Sequence, residues 1–324
     1  MAPQEPTTLR AILAYAGNLL SQSPLLSGPF NNIPNPLAHL LGGTQQQQQQ
    51  QHVAPSYYEP LSAAPSCPID GPTSCRNSTP PSGDSCCFVH PGGRLLLTQF
   101  WDSQAHQPGA EEDWTIHGLW PDLCDGTYDS FCGMSPRYSD IPALLASHGQ
   151  DDLLSFMHRY WPSAPGSTNA HFWAHEWNKH GTCINTLSPS CYGAGDDGDH
   201  TDGSDSAYYR PGAEAVDYFS RAAALFRTLD TYTALERAGV APHATRRYPL
   251  ADVRAALERF SGGRVVLRCS GRRDVLHEVW YVYFVKGSLQ TGEFVPAQDL
   301  GEKGDAGNCA PWVRYLPKKK GASG

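Results

Sequence analysis

Apolar residues follow two different spacings along the chain, and together these predict a mixture of helices and strands. A period of three to four residues predicts six helices, over residues 139–149, 151–160, 170–179, 213–229, 231–239 and 250–260. Uninterrupted apolar runs predict four buried strands, over residues 94–101, 114–119, 264–269 and 278–285. Because these elements do not alternate regularly, the expected fold class is α+β, with a central antiparallel β-sheet and packed helices.

Composition divides the chain into three parts. Residues 1–65 are rich in Pro, Gly, Ser and Asn and contain an unbroken glutamine run, which is typical of a disordered, low-complexity segment. Within this part, Arg10 precedes a short apolar run at 11–16, so a weak signal peptide and a stray amphipathic stretch or misjudged start site are both open. We expect one folded domain over 66–317 and a frayed basic tail at 318–324.

The chain has 10 cysteines, an even number without a C-x-x-C pair. This usage indicates disulfides formed in an oxidising compartment rather than a zinc ribbon or a thioredoxin-like site. Asn77 begins an N-x-[ST] sequon and is a candidate glycosylation site. No stretch approaches the roughly 20 apolar residues of a membrane span. The acidic, Gly-rich stretch at 193–206 is expected to be a solvated surface insertion, with calcium binding as the weaker alternative.

The net charge argues against a basic nucleic-acid-binding module that works at neutral pH. It is −8 with histidine neutral, and charging all 13 histidines would bring it to +5. Histidine is the side chain that titrates in mildly acid solution, so the chain would bind a polyanion better there. The composition is therefore compatible with an enzyme that acts on a nucleic acid in acid.

The segment 172–183, FWAHEWNKHGTC, concentrates ionisable groups between aromatic rings. A core helix rarely carries so many charges, because burying them unpaired is costly. On a helix, Glu176 and His180 share one face, and His175 and Lys179 share the adjoining face. The segment therefore presents a carboxylate, an ammonium group and two imidazoles to one cleft. A chance cluster of packed aromatics and surface charges is the plainer alternative.

A zinc site is the rival interpretation of this histidine pair. The H-E-x-x-H pattern of zinc proteases places its histidines four residues apart on one helix face. Here the two histidines are five residues apart, about 140° around a helix that turns by roughly 100° per residue. That spacing opposes a shared metal, so no metal ligands are expected.

A second segment, WTIHGLWPD at 114–122, places His117 in an apolar run. Taken alone, this histidine would be a satisfied core residue. Together, the two segments resemble the active-site segments of the ribonuclease T2 family of acid endoribonucleases, and fungal members most of all. The resemblance extends from about Cys67 to about Pro317 and includes SCCF at 85–88, TQFWD at 98–102 and KHGTCINT at 179–186.

The resemblance implies metal-free cleavage of single-stranded RNA through a 2′,3′-cyclic phosphate to a 3′-phosphate. It implies that His180 is the general base and His117 the general acid, that His175 holds the phosphate, and that Glu176 and Lys179 polarise the P–O bonds. An ordinary helix ion pair is the alternative for these last two residues. The chemistry suits two imidazoles, because one can be neutral while the other is charged.

The resemblance also implies how bases are bound and how the chain is cross-linked. Trp120 and Tyr128 would stack on one base and Asp122 would contact an adenine amino group, which predicts weak base preference. Phe172 and Gln99 would contact the second base, with simple packing as the alternative. The implied disulfides are Cys67–Cys87, Cys75–Cys124, Cys86–Cys191, Cys132–Cys183 and Cys269–Cys309.

The expected protein is thus a secreted or vacuolar, monomeric endoribonuclease without a cofactor, a membrane contact or an obligate protein partner. Two other functions remain open on the sequence. One is a non-catalytic secreted protein that binds RNA or a partner through the same cleft. The other is a metal-dependent phosphodiesterase built on the histidine cluster. RNA cleavage in excess chelator separates the second rival from the main interpretation.

Overall fold

The computed structural model of the chain describes residues 64–76, 85–103, 112–193 and 209–319. The sequon at Asn77, the acidic insertion from residue 194 onward and residues 1–63 of the low-complexity segment lie outside these ranges. The predictions made for them therefore stay predictions.

Helices form at the positions that the apolar period predicts. They are α1 (Ile141–Ser147), α2 (Asp151–Tyr160), α3 (Asn169–Lys179), α4 (Ala213–Arg227), α5 (Thr231–Arg237) and α6 (Leu250–Ser261). Three of these six helices, α1, α3 and α5, begin with a side-chain cap. For example, the Thr168 hydroxyl accepts a hydrogen bond from the His171 backbone N–H at the start of α3. The residue that caps α1 is Asp140, which accepts from the Ala143 N–H, and not Ser139.

The strands are β1 (Arg94–Phe100), β2 (Thr115–Asp122), β3 (Tyr248–Pro249), β4 (Val265–Ser270), β5 (Val275–Lys286), β6 (Glu293–Pro296) and β7 (Trp312–Val313). In the described part of the chain, five of them form an antiparallel sheet in the order β2-β1-β5-β4, with β6 also paired to β5. The short strands β3 and β7 form a separate pair. This arrangement confirms the expected α+β fold class.

The sheet buries both of its faces, and the two faces differ in what covers them. Leu95 and Leu97 of β1 point into the main core, which also contains buried side chains of the helices. Leu96, the residue between them, lies in a smaller cluster with Val282, because side chains alternate along a strand. Trp120 and Trp280 pack against this smaller cluster.

The register between β1 and β2 is irregular at the position that carries His117. Thr98 pairs with Gly118 and Gln99 pairs with Ile116, so His117 has no opposite residue in β1. This is a β-bulge, which bends the strand and redirects the side chain of the extra residue. The bulge therefore turns the imidazole of a residue in an apolar strand toward the cleft described below.

Five disulfides join the cysteines in the pairs that the resemblance implies, and no cysteine is free in the described chain. The Cys132–Cys183 bridge lies directly beside the end of α3. There the Phe131 N–H donates to the Lys179 carbonyl and the Met134 N–H donates to the Thr182 carbonyl. The bridge and these hydrogen bonds fix the backbone on both sides of His180.

Lys318, the first residue of the predicted basic tail, has contacts with the domain. The Lys318 ammonium group donates to the Asp113 carbonyl and lies 4.7 Å from the centre of the Trp101 ring. The prediction of fraying is therefore wrong for Lys318, because its aliphatic stem and charge both find partners in the domain.

None of the described helices has the length and apolar composition needed to cross a bilayer.

Removal of the bridge beside α3 is expected to affect both stability and activity. In a Cys132→Ala/Cys183→Ala variant, the free energy of unfolding should fall by about 2–5 kcal/mol, because the unfolded chain loses a long loop constraint. The rate of RNA cleavage per folded molecule should also fall, because the backbone at His180 is no longer fixed. Denaturant unfolding and initial rates measure the two effects.

A Cys86→Ala/Cys191→Ala variant is the matched control. Its bridge closes a longer segment, 105 against 51 residues, and neither of its cysteines adjoins the end of α3, whereas Cys183 follows His180 by three residues. The control should lose at least as much stability but keep its rate per folded molecule. Equal losses of rate in the two variants would contradict a local effect of the Cys132–Cys183 bridge.

Candidate active site

Trp120 lies where β2 meets the end of α3, and it contacts both histidines of interest. Its ring stacks on the His180 ring with 5.1 Å between ring centres, and it meets the His117 ring edge to face at 4.7 Å. Its indole N–H donates to Glu176 Oε2 over 2.9 Å. Segments more than 50 residues apart in sequence therefore share one site.

α3 is held in place by tryptophans on the side that faces away from the cleft. Trp173 and Trp177 are fully buried, and their indole N–H groups donate to the carbonyls of Trp161 and Pro136. Gly181 follows the helix, where a Cβ atom would collide with the Trp177 ring. His180 ends the helix, and its backbone N–H donates to the Glu176 carbonyl. The buried rings thus fix where His180 stands.

The His117 imidazole lies between two carboxylates and an aromatic face. Its Nδ1 lies 2.6 Å from Glu278 Oε1, and its Nε2 lies 3.8 Å from Glu176 Oε1. The ring stacks on Phe100 with 4.1 Å between centres. A proton on Nδ1 is held by Glu278, so Nε2 is the nitrogen that faces the cleft and can exchange a proton there.

Glu176 is buried, and its environment favours the neutral carboxyl group. Burial raises its pKa to about 7, against smaller opposing effects of His117, of the Trp120 N–H and of Lys179. Among the described ion pairs, none joins Glu176 to Lys179. The alternative of an ordinary helix ion pair is therefore not what the structure contains. The Glu176 carboxyl group instead accepts from the Trp120 N–H and lies 3.8 Å from His117 Nε2.

The imidazole of His180 is favoured in its neutral form. Burial lowers its pKa far below the usual value, and the positive charges of Lys179, His117 and His175 lower it further. His175 is exposed at the mouth of the cleft, 6.5 Å from His180 between ring centres. Its pKa is also lowered, first by desolvation and then by Lys179. The Lys179 ammonium group thus lies beside two imidazoles whose neutral forms are favoured, in a cavity that could bind an anion.

These residues line a cavity of about 680 Å³, which is large enough for a nucleotide. Trp120, Asp122 and Tyr128 share it with the imidazoles. Asp122 and Tyr128 form a β-bridge around the tight turn that follows β2, which explains how the turn brings Tyr128 back beside the strand. Burial raises the pKa of Asp122 to about 7, with Arg94 opposing this effect.

The two residues expected at the second base differ in their placement. Phe172 lies beside His117, with 5.9 Å between ring centres. Gln99 is fully buried away from the cavity, where its side chain accepts from the Thr231 hydroxyl and donates to the Leu229 carbonyl. The interpretation of Gln99 as a base contact is therefore wrong, because side chains alternate along β1: Gln99 is on the core side with Leu97, and Phe100 on the other side stacks on His117.

Several residues of the site were not predicted from the sequence. Glu278 and Trp280 lie on β5, and Arg268, Lys303 and Asp305 also line the cavity. A charged pair, His277-Glu278, at the start of an apolar strand was a usable signal for Glu278. No comparable signal marks Lys303 or Asp305, because they lie in a loop and reach the cavity through tertiary packing. Within the described ranges, His, Cys, Asp and Glu form no group of three that could hold a metal ion.

Comparison with known proteins agrees with this geometry. Residues 92–298 match the model of the Ribonuclease T2 family. Ribonuclease T2 of Aspergillus oryzae is 44% identical over 257 residues, which cover 79% of this chain and 85% of that protein. Ribonuclease Trv of Hypocrea rufa is 45% identical over 257 residues, covering 79% and 100%. The chain therefore belongs to the ribonuclease T2 family and has the endoribonuclease function of that family.

A solved structure extends the agreement to the fold. The crystal structure of Actibind, a T2 ribonuclease, superposes with a TM-score of 0.68 at 40% sequence identity. The match covers 78% of this chain and 98% of that one. The five disulfides and this relationship are consistent with passage through the secretory pathway.

A side chain at Gly118 should disrupt the site without unfolding the domain. A Cβ atom there would collide with Glu176 Oε2 and lie 2.5 Å from Trp120 Nε1. In Gly118→Ala we expect kcat to fall by about 10²-fold, because small displacements of reacting groups are that costly. Stability should fall by about 1–3 kcal/mol, the usual cost of overpacking.

Gly71→Ala is the control for this substitution, because a Cβ atom at Gly71 meets nothing within 4 Å. Initial rates of RNA cleavage and denaturant unfolding compare the two variants. Unchanged kcat in Gly118→Ala would show that the contact between Glu176 and Trp120 is not needed for turnover.

Glu176→Gln should stabilise the folded protein at high pH. A carboxyl group whose folded pKa of about 7 exceeds its usual 4.5 holds its proton longer when folded. Stability is therefore lost as pH rises through this window, at a total cost on the order of 3 kcal/mol above pH 7. The variant lacks this cost, so the free energy of unfolding should favour it by about 1–3 kcal/mol more at pH 8 than at pH 4.

Glu236→Gln is the matched control, because Glu236 is exposed on α5. Urea unfolding across the pH range measures the difference between each variant and the parent. A Glu176→Gln difference that does not change with pH would contradict the buried, neutral carboxyl group.

Proposed function

We propose that His180 and His117 act as general base and general acid in the cleavage of single-stranded RNA. His180 removes the proton of the 2′-hydroxyl, whose oxygen then attacks the adjacent phosphorus. The bond from phosphorus to the 5′-oxygen breaks, and His117 protonates that oxygen. The product is a 2′,3′-cyclic phosphate, which water then opens to a 3′-phosphate. The observation that carries the proposal is the contact of both rings with Trp120 in one cleft.

The direction of proton transfer follows from the surroundings of the two rings. Burial and neighbouring positive charges lower the pKa of His180, which keeps it neutral and able to accept a proton. The His117 Nδ1 lies 2.6 Å from Glu278 Oε1, so the protonated ring has a hydrogen-bond acceptor for Nδ1 and keeps a cleft-facing Nε2–H. This asymmetry supports His180 as the base and His117 as the acid.

His175, Glu176 and Lys179 are proposed to stabilise the charge that develops on the phosphoryl oxygens. All three line the same cavity as the proton-transferring pair. Positioned donors act most strongly in such a partly dehydrated site, because little water screens them. A protonated Glu176 can donate its O–H to a phosphoryl oxygen, whereas an ionised Glu176 would repel it.

The same groups account for activity that is favoured in acid. Below its pKa of about 7, Glu176 is protonated and no longer repels the phosphate. The lowered pKa of His180 keeps the base neutral in the same acid range. As pH rises through 7, Glu176 becomes ionised and the rate should fall. No metal ion enters this scheme.

Base recognition is proposed to rest on stacking, with Trp120 and Tyr128 as the rings and Phe172 beside the next base. Stacking tolerates every base, so weak specificity is expected. Asp122, whose raised pKa allows a neutral carboxyl in acid, would contact the edge of the base and favour adenine.

We further propose a monomer that is secreted or vacuolar and glycosylated at Asn77, and that needs no obligate protein partner.

Replacement of either histidine by phenylalanine should abolish cleavage. The general acid or base contributes roughly 10²–10⁴-fold, so His117→Phe and His180→Phe should each lose at least that factor. Initial rates on the four RNA homopolymers between pH 3 and 8 measure the effect. Release of 2′,3′-cyclic ends by the parent protein, with a falling rate above pH 7, completes the expected result.

His171→Phe is the matched control, because His171 is exposed on the same helix and does not line the cavity. It should keep its activity. Substantial activity in His117→Phe or His180→Phe would refute the assignment. Excess chelator should leave the parent rate unchanged, and loss of the rate would favour a metal-dependent phosphodiesterase instead.

A further inference from the structure

The cavity continues past the proposed base site to a pair of cations that the reaction described above does not use. Arg268 of β4 and Lys303 of the 299–307 loop both line it. Their side chains are 34% and 66% exposed, so a ligand in the cavity can reach them. They lie on separate elements, and both side chains reach the cleft.

A series of ring contacts connects Arg268 to the imidazoles. The Trp280 ring meets the Trp120 ring edge to face, with 5.3 Å between ring centres. The Arg268 guanidinium lies 5.3 Å from the centre of the Trp280 ring. His180 lies against Trp120 itself, so ring contacts connect His180 to Arg268 through Trp120 and Trp280. The guanidinium therefore lies two rings away from the imidazole of the proposed base.

Each cation is paired with a carboxylate but retains spare donors. Arg268 Nη1 donates to Asp305, and Lys303 Nζ donates to Asp125 Oδ2 over 2.8 Å. A guanidinium has five N–H donors and an ammonium group has three, so both can bind a second oxygen anion. No further hydrogen bond of either side chain occurs among the described residues. The ion pairs hold the two side chains in place and leave N–H donors of each available to a ligand.

The loop that carries Lys303 is fixed against the turn after β2. The Lys303 backbone N–H donates to the Asp125 carbonyl over 2.6 Å, and the Gly307 N–H donates to Asp305 Oδ1. Gly126 packs so closely on Gly304 that a Cβ atom at Gly126 would collide with it. Because the backbone is ordered in advance, a ligand that binds here need not bear the cost of ordering the loop.

We propose that Arg268 and Lys303 form a subsite for the phosphate on the 5′ side of the nucleotide whose base stacks on Trp120. This inference rests on the proposed function, in which the 3′ phosphate of that nucleotide lies at the imidazoles. The 5′ phosphate must then leave the ribose in another direction, and the cations line the same cavity. Arginine and lysine are the side chains that bind phosphate oxygens most strongly. The enzyme would thus prefer an internal bond to one that follows an unphosphorylated 5′ end.

The test compares two dinucleotides that differ by one phosphate, ApU and pApU. Each contains the same scissile bond, so the ratio of their kcat/KM values isolates the contribution of the 5′ phosphate. The parent protein should prefer pApU by about tenfold, the effect of charge-assisted contacts at a partly exposed site. This ratio does not depend on the fraction of folded protein, which protects it from differences in stability.

Two double variants separate phosphate binding from a purely structural latch between the loops. In Arg268→Ala/Lys303→Ala the ratio should fall close to one, and the slope of log(kcat/KM) for pApU against log salt should decrease by about one per lost contact. In Asp125→Asn/Asp305→Asn the cations are released from their partners, so the ratio should be kept or increased. Arg237→Ala, exposed on α5, controls for a change in overall charge.

The outcomes are distinct. Equal cleavage of ApU and pApU by the parent would overturn the subsite and leave the proposed function intact, whereas cleavage of neither would overturn the function itself. A fall of the ratio in both double variants would show that the ion pairs act as a latch. A preference that appears with UpApU but not with pApU would show that this end of the cleft binds a nucleoside instead.

Discussion

The indole of Trp120 connects the two segments on which the proposed chemistry depends. It stacks on His180, meets His117 edge to face and donates its N–H to the buried Glu176. A carboxyl group without a partner would be costly in this position. The Trp120 N–H gives Glu176 a partner while its neutral form remains favoured. One aromatic side chain therefore both places the imidazoles and makes the buried carboxyl group tolerable.

Burial shifts the pKa values of the acidic and basic groups of the site in opposite directions. Desolvation acts in opposite directions on acids and bases, raising the pKa of Glu176 and lowering that of His180. Both shifts favour neutral forms in acid solution, where a polyanion is also less strongly repelled by the chain. The proposed preference for acid thus follows from where the groups are buried. The same burial of Glu176 lowers the free energy of unfolding as pH rises, because the ionised carboxylate is unfavourable there. The Cys132–Cys183 bridge beside His180 offsets part of this loss by stabilising the folded backbone.

Local sequence predicts most of the helices and strands and the two segments that carry the histidines, but not the residues that other strands and loops add to the site. The segments around His117 and His180 each carry their own pattern, and the helices and long strands form within a few residues of their predicted bounds. Strand register is not local, however. The bulge in β2 turns His117 toward the cleft, the alternation of side chains along β1 places Gln99 in the core, and the pairing of β5 with β1 supplies Glu278. Lys303 joins the cleft through a loop whose partners are far away in sequence.

The most direct test of the account is a crystal structure of the protein with a 2′-deoxy ApU analogue, which lacks the attacking hydroxyl and cannot be cleaved. The account predicts that His117 Nε2 lies within hydrogen-bonding distance, about 3 Å, of the 5′-oxygen of the scissile phosphate, and that the His180 ring faces the 2′-carbon from which the hydroxyl is missing. It also predicts that the adenine stacks on Trp120. A 5′-oxygen far from His117, a 2′-carbon turned away from His180, or a phosphate outside the cleft would contradict it.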